Sequence, residues 1–315
     1  MTKTRNDPPP QICILLALYQ GQAYLRAQLD SYVAQTHQNW VLLVSDDGST
    51  DQSAVILAKF QVDHPDKSIT LRQGSEQGFA RNFLSLMQAV PPDIPYAALS
   101  DQDDVWFPDK LSRAVEQFQA VPLGCPALYC ARTIISAEDL TPIAPSPVFR
   151  REPAFGNALV QSIGGGNTMV LNRAALDLVA AVAAQTPAPV AHDWWLYQLI
   201  TGCGGQVIRD PEPVLFYRQH RHNLIGANLS AVARLQRIKA LLNGRFRSWN
   251  KQGLEALHPA VTLFTPAARD CYNRFVAARQ GAVVGRLRAL RASGVYRQSS
   301  LGTVALYLAC LLNRL

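Results

Sequence analysis

The residues best suited to chemistry are Asp101-Gln102-Asp103-Asp104, which follow the apolar run Tyr96-Ala97-Ala98-Leu99 and precede Val105-Trp106. Carboxylates gathered at the end of a strand suit a hard divalent cation, which takes oxygen ligands. Mg²⁺ or Mn²⁺ keeps one or two carboxylates and completes its shell with water and substrate phosphates. Asp101 and Asp103 are therefore candidate ligands for a cation that meets a diphosphate-bearing substrate. The edge where strands end is also where open α/β sheets take their ligands. The plain alternative is a solvated acidic turn, because Asp-x-Asp triplets are common by chance.

Other segments carry candidates of the same quality. Asp46-Asp47-Gly48-Ser49-Thr50-Asp51 follows a second apolar run, Trp40 to Ser45. Carboxylates there could accept from the imide N–H of a uracil or thymine base and from ribose hydroxyls; otherwise they form an Asx turn, with Ser49 or Asp51 capping the next helix. In Gly78-Phe79-Ala80-Arg81-Asn82, Arg81 offers charge-assisted bonds to phosphate and Gly78 allows close backbone approach; an ordinary helix start is the alternative. His192-Asp193-Trp194-Trp195 opens an apolar helical pattern, with Asp193 near the helix start beside Trp194, a flat surface suited to a sugar. An N-cap explains that Asp equally well. Gly164-Gly165-Gly166 lets the backbone pass close to a ligand or serves as a flexible strand entry. Arg218-Gln219-His220 belongs to a dense basic cluster after Pro213 to Tyr217.

Elements with two different periods must position these residues. Ile12 to Leu18 is an uninterrupted apolar run that reads as a strand buried on both faces. Helical spacing follows at Leu25, Leu29, Tyr32 and Val33, then the strand Trp40 to Ser45, a helix from Ala54 to Phe60, and a short strand from Ile69 to Arg72. Arg81 to Ala89 reads as a helix, and Tyr96 to Leu99 as the fourth strand. This alternation predicts a doubly wound, mostly parallel α/β sheet. Leu128 to Asn172, richer in Pro and Gly, predicts mixed or antiparallel strands, and Pro213 to Tyr217 the last strand of the core.

The chain of 315 residues is 48% hydrophobic and 17% charged, an ordinary globular balance with room for one large core and an appendage. It contains no apolar stretch of membrane-spanning length, no secretory leader at its polar, Pro-rich start, and six cysteines without zinc spacing, which reads as a cytosolic protein with reduced thiols. The net charge of +7 is uneven: from Arg234 onward there are 14 Lys/Arg and 2 Asp/Glu, a local +12, against −5 before it. Basic amphipathic helices are expected there, with Val283, Val284, Leu287 and Leu290 on one face and Arg286, Arg288 and Arg291 turned elsewhere. The division expected is residues 1–228 and a basic helical region over 229–315 that meets an anionic membrane surface rather than nucleic acid, the alternatives being a solvated helical cap on the core or an oligomer contact.

Taken together, Tyr19-Gln20-Gly21, Asp46 to Asp51, Ser100 to Trp106 and His192 to Trp195 occur in the order and spacing of family 2 glycosyltransferases with the GT-A fold. The resemblance covers roughly Ile12 to Asn228 and is nearest to bacterial rhamnosyltransferases of cell-surface polysaccharide synthesis. It implies an inverting, Mg²⁺- or Mn²⁺-dependent transfer from a nucleoside-diphosphate sugar, with dTDP-rhamnose or a UDP-sugar as donor, to a glycan or lipid-linked acceptor. It also implies that the protein works at the cytoplasmic face of the plasma membrane. By resemblance Tyr19 lies beside the base, Asp46 or Asp47 reads the nucleoside, and Asp103 is the primary metal ligand with Asp101 nearer the ribose and donor sugar. Arg218 and Gln219 fold over the diphosphate, His220 adds a metal ligand, and Asp193 is the catalytic base. The family often has Asn where this chain has Gln20, Asn where it has Glu76, and an acid where it has His192.

Two rivals fit less well. A nucleotidyltransferase expects a Gly-rich loop with Arg and Lys after the first strand, where this chain reads Leu18-Tyr-Gln-Gly-Gln-Ala-Tyr24. A non-catalytic nucleotide-sugar or carbohydrate-binding protein needs no acceptor-side carboxylate in addition to a metal triplet.

Overall fold

The computed structural model describes residues 8–221 and 244–315. Its first part alternates as expected: Ile12–Leu18 (β1), Leu25–Val33 (α1), Trp40–Asp46 (β2), Ser53–Asp63 (α2), Ile69–Gln73 (β3), Phe79–Gln88 (α3) and Tyr96–Ser100 (β4). Val105–Trp106 (β5), Lys110–Phe118 (α4), Ala127–Ser136 (β6), Pro142–Pro145 (β7), Phe155–Ala158 (α5), Val170–Asn172 (β8), Arg173–Ala183 (α6), His192–Gly202 (α7) and Gln206–Arg218 (β9) follow.

One sheet runs through them in the order β3-β2-β1-β4-β8-β6-β9-β5, with β7 paired to β6. Strands β3, β2, β1 and β4 are mutually parallel, whereas β8 is antiparallel to both β4 and β6, the mixture expected of the middle segment. Helices cover both faces, which is why β1 is apolar without alternation. Ile12, Ile14, Leu16 and Leu18 pack with Leu29, Phe60 and Leu111 of α1, α2 and α4. Cys13 and Leu15 face the other way, onto Phe83, Leu176 and Leu196 of α3, α6 and α7. Strand order reverses between β1 and β4, so the chain leaves the sheet in opposite directions there and opens a crevice at their C-terminal ends. Tyr19 and Asp101 sit at that point.

The C-terminal part forms Arg245–Leu257 (α8), Pro266–Ala277 (α9), Val283–Ser293 (α10) and Ser300–Leu311 (α11). These helices do not build a core of their own. Leu254, Leu257, Phe275, Leu290, Leu306 and Cys310 join the same apolar cluster as α3, α6 and α7. Phe264 meets Phe155 edge to face with ring centroids 5.1 Å apart, and Trp195 donates Nε1 to the Ala256 carbonyl at 3.1 Å. The boundary expected at 228/229 lies outside the described residues.

The face expected on α10 is corrected. Val283 and Val284 are exposed, while Arg286 is buried and donates to the carbonyls of Cys310, Leu311 and Gly281. Its guanidinium satisfies the orphan carbonyls at the end of α11, a demand that helical periodicity does not reveal. All six cysteines are unpaired, and no helix of the described residues is long and apolar enough to cross a membrane.

Because the C-terminal helices share the main core, Phe264→Ala is expected to cost about 3–5 kcal/mol in urea unfolding while the transition stays single. Two separated transitions would show that the helices fold apart from the sheet.

Candidate active site

The crevice is held open by side chains that join neighbouring loops. Gln102 accepts from Tyr19 N (2.8 Å) and donates to Tyr19 O (2.7 Å), locking the end of β1 to that of β4 and leaving the Tyr19 ring 57% exposed. A Cβ at Gly21 would lie 2.8 Å from Gln102 Oε1, so the turn needs glycine for this close approach. The loop after β2 holds the other side. Ser49 Oγ accepts from Gln20 N, Ser53 Oγ from Gly21 N, and Asp51 Oδ2 from Gln22 N, at 3.0, 2.8 and 2.9 Å. Ser49 does not cap α2; the N-cap position is Gln52, without a side-chain bond, while Asp51 Oδ1 accepts the first helical N–H, from Ser53, at 3.0 Å. Burial opposes ionisation of Asp51, but hydrogen bonds from Ser53 and Gln22 outweigh it and hold its carboxyl below the usual range.

Asp46 and Asp47 have different work. Asp46 Oδ1 accepts from Ser49 N at 2.9 Å, closing the Asx turn, and the residue stays half-buried. Asp47 is buried and accepts from Glu76 N (2.7 Å) and Gly78 N (3.1 Å), whose residues have φ of 56° and 87°. It therefore fixes the loop after β3. Of the pair, Asp46 is the one with more surface toward a ligand. Arg81 donates to the Thr186 carbonyl at 2.7 Å, which ties α3 to the chain after α6; its expected phosphate contact finds no support in that bond.

The four residues after β4 form the acidic centre. Asp104 is fully buried and accepts from Asn167 Nδ2 (2.6 Å) and Arg218 N (3.3 Å). Burial pushes its carboxyl well above the ordinary value, Asp103 and Asp101 push further, and those two hydrogen bonds oppose them. Lys110 shares this dry pocket. It donates Nζ to Asn167 O at 2.5 Å and lies 3.2 Å from the centroid of Trp106. Burial lowers its pKa, and Asp104 and Asp101 resist. Trp106 is thus a packing residue, with Lys110 held over its face.

Asp103 points outward from the same loop. His220 Nε2 lies 2.8 Å from Asp103 Oδ2, and Arg218 donates Nε to the Asp103 carbonyl at 2.9 Å. The His220 ring meets Tyr24 with centroids 4.7 Å apart. Tyr24 in turn donates to Glu138 Oε1 at 2.6 Å, and Arg218 donates Nη1 to the Glu138 carbonyl. Gln219 continues the β6–β9 ladder through its N–H to Ser136 O (2.9 Å). The structure brings Asp103, His220 and Arg218 together. The Asp103 carboxylate suits Mn²⁺ or Mg²⁺, and for His220 to join it a cation would have to replace the hydrogen bond between the two side chains. Among the described residues no group of three or more such side chains converges, so water and phosphate oxygens would complete the shell.

Asp193 completes the crevice from α7. Its carboxyl is pushed up to about 6 by burial, against hydrogen bonds from the N–H groups of Trp194 (2.6 Å) and Gly166. Asp101 is pushed up to about 7 by burial, then by the charges of Asp103 and Asp193. Gly166 donates to Asp193 and its neighbour Asn167 to Asp104, which brings the α7 carboxylate toward the acidic loop. Trp194 is half-buried, with Nε1 pinned to Ala158 O at 2.6 Å. His192 turns away from the opening: its ring stacks on Phe83 at 3.9 Å, and burial drops its pKa to about 3, so it is neutral. Gly166 exists for this contact, since a Cβ there would lie 2.2 Å from His192 Nε2.

Gln102, Lys110, Asn167, Tyr24 and Glu138 were not singled out from sequence. Lys110 did leave a signal, being in register with Ala114 and Phe118 on the buried face of α4.

Comparison with known proteins agrees with this geometry. The glycosyl transferase family 2 model matches residues 13–167. The dTDP-rhamnosyl transferase RfbG of Shigella flexneri is 28% identical over 242 residues, which is 74% of this chain and 81% of that protein. This chain is a family 2 glycosyltransferase. Its fold is the GT-A fold, as in two solved structures. The mannosyltransferase PcManGT from Pyrobaculum calidifontis, in complex with GDP-Man and Mn²⁺, superposes with a TM-score of 0.52 at 17% identity, covering 97% of this chain and 86% of that one. S. aureus TarS 1-349 in complex with UDP-GlcNAc gives 0.54 at 13% identity, covering 96% and 90%.

In this glycosyltransferase the division of labour between the paired aspartates is testable. Asp47→Ala strands two backbone N–H groups and is expected to lose about 1–3 kcal/mol of stability, whereas Asp46→Ala leaves the unfolding midpoint nearly unchanged. Urea denaturation of the two variants checks this.

Proposed function

We propose that the protein is an inverting transferase that moves a sugar, rhamnose in the reading that its curated relative supports, from a nucleoside-diphosphate donor to a glycan acceptor of a bacterial surface polysaccharide. The observation that carries this reading is the turn Gly166-Asn167, whose first residue donates to Asp193 and whose second donates to Asp104, which supports a leaving-group side and an acceptor side of one crevice. The exposed Tyr19 ring offers a stacking face for the base, and Asp46 an acceptor for its imide N–H. Arg218 brings positive charge and donors to the side where the diphosphate leaves. Asp103 and His220, with Asp101 behind them, would hold Mg²⁺ or Mn²⁺, which when bound supplies charge neutralisation for the departing diphosphate.

On the opposite side Asp193 acts as general base. The acceptor hydroxyl gives its proton to the Asp193 carboxylate as its oxygen forms the new bond to the sugar's anomeric carbon, while the bond from that carbon to the diphosphate oxygen breaks with its electron pair. A single displacement of this kind inverts the anomeric centre. Trp194 offers a flat wall for the acceptor sugar. Burial suits the base to its task, because a carboxyl raised to about 6 binds a proton more strongly than an ordinary one and is still ionised at neutral pH. The acceptor in this reading is lipid-linked at the cytoplasmic face of the membrane, and the basic C-terminal region keeps the enzyme on that surface.

Asp103→Ala is expected to remain folded and to lose metal-dependent donor affinity by roughly 100-fold, read by calorimetric titration of the nucleotide with and without Mn²⁺; unchanged titrations would remove Asp103 as a ligand. Asp193→Asn is expected to keep donor affinity and lose transfer by about 100-fold or more. Wild-type kcat/KM is expected to fall as pH drops through about 6, because the base is then protonated; a profile flat down to pH 5 would contradict the assignment of Asp193.

A further inference from the structure

The C-terminal helices hold a second polar cleft that the transfer chemistry does not use. It measures about 550 Å³ and is lined by Arg247, Ser248, Lys251, Arg279, Gln280 and Arg314, from α8, from the end of α9 and beyond it, and from the chain after α11. Four cationic side chains line it. Arg247 donates to the Asn313 carbonyl at 3.0 Å, and Arg279 to the backbone oxygens of Leu315 (3.2 Å) and Arg247 (3.0 Å). The Asn313 and Arg247 carbonyls orient these guanidinium groups without neutralising them. Glu255 faces Lys251 at 3.8 Å, but both are largely exposed and the pair is screened. Burial and the Arg247 charge together push Arg279 below the usual guanidinium range, against the pull of Glu255 and Tyr272, as befits a cluster lacking an anion.

A second observation says where that anion comes from. Leu301, Val304, Leu308, Leu311 and Leu312 recur at helical spacing on one side of α11 and its end, and they are 84, 56, 51, 46 and 53% exposed. The opposite side of the helix is buried through Leu306, Ala309 and Cys310. The exposed stripe spans roughly 16 Å. It ends at Leu312, two residues before Arg314 at the cleft. An apolar stripe that runs up to a pocket of cations matches the two halves of an anionic lipid.

We propose that this cleft binds the phosphate of an anionic membrane lipid while the α11 stripe enters the acyl boundary. The proposal rests on the membrane reading above and assigns it a defined site rather than a diffuse charge. It is independent of the donor crevice, so the two can fail separately.

The test uses the full chain and sedimentation with phosphatidylcholine vesicles, with and without phosphatidylglycerol. Wild type is expected to bind only the anionic vesicles. Arg247→Gln/Arg314→Gln is expected to bind roughly 30-fold more weakly, at about 1 kcal/mol for each cation lost. The charge-matched pair Arg288→Gln/Arg291→Gln, exposed on α10, is expected to change binding by less than about threefold. Val304→Ser/Leu308→Ser is expected to weaken it without altering nucleotide-induced thermal stabilisation, which serves as the folding control for every variant. Equal losses for the two charge pairs would overturn the site in favour of diffuse attraction. Stabilisation by inorganic phosphate in a protein that ignores vesicles would overturn the lipid, and a dimer that the stripe variant dissociates would assign the stripe to a second copy. Vesicle binding that follows this pattern in a protein devoid of sugar transfer would leave this site standing and remove the transfer reading alone.

Discussion

Three carboxylates within four residues at the end of one strand are a concentration of like charge that the rest of the site must offset. Asp104 faces inward, and its burial is tolerable only because Asn167, the Arg218 N–H and Lys110 surround it. Asp103 faces outward against His220 and Arg218. These partners arrive from three places in the chain: Lys110 from the start of α4, Asn167 from the turn before β8, and Arg218 and His220 from the end of β9 and just beyond. An unpaired buried charge would cost several kcal/mol, so the acidic loop in effect dictates how these elements close over the sheet.

The Tyr19 and Asp46 side of the crevice follows a different principle, in which polar side chains stitch loops rather than balance charge. Gln102 joins β4 to β1, while Ser49, Asp51 and Ser53 join the β2 loop to the β1–α1 turn. Asp47 reaches forward to the loop after β3. The crevice walls are therefore fixed to each other through bonds that bypass the sheet, which leaves Tyr19 and Asp46 presented on a rigid frame. A site on a preorganised frame loses less to ordering when its ligand arrives.

Much of this was legible in the chain because local patterns carried it. The run Ile12 to Leu18 is apolar without alternation since helices cover both faces of β1, and Asp101 to Asp104 ends a strand that the apolar run already marked. What stayed hidden depends on partners far apart in sequence. Asn167 is 63 residues from Asp104, and Arg218 is 115 from Asp103, distances over which no periodicity speaks. Arg286 looked like a surface residue because its burial answers the orphan carbonyls of α11, not its own helix. His192 looked like a substitute acid, yet its ring fills space between Phe83 and Gly166. Ser49 sits where a cap belongs, but the neighbouring loop offers it an N–H group first.

The account turns on a diphosphate held at Asp103 across the crevice from Asp193. The most direct measurement is anomalous scattering from crystals grown with Mn²⁺ and a nucleoside diphosphate. The expected result is a single manganese peak contacting Asp103 and the diphosphate oxygens, with the Asp193 carboxylate facing it across open space. A nucleotide seated away from the ends of β1 and β4, or a manganese ion that ignores Asp103, would contradict it.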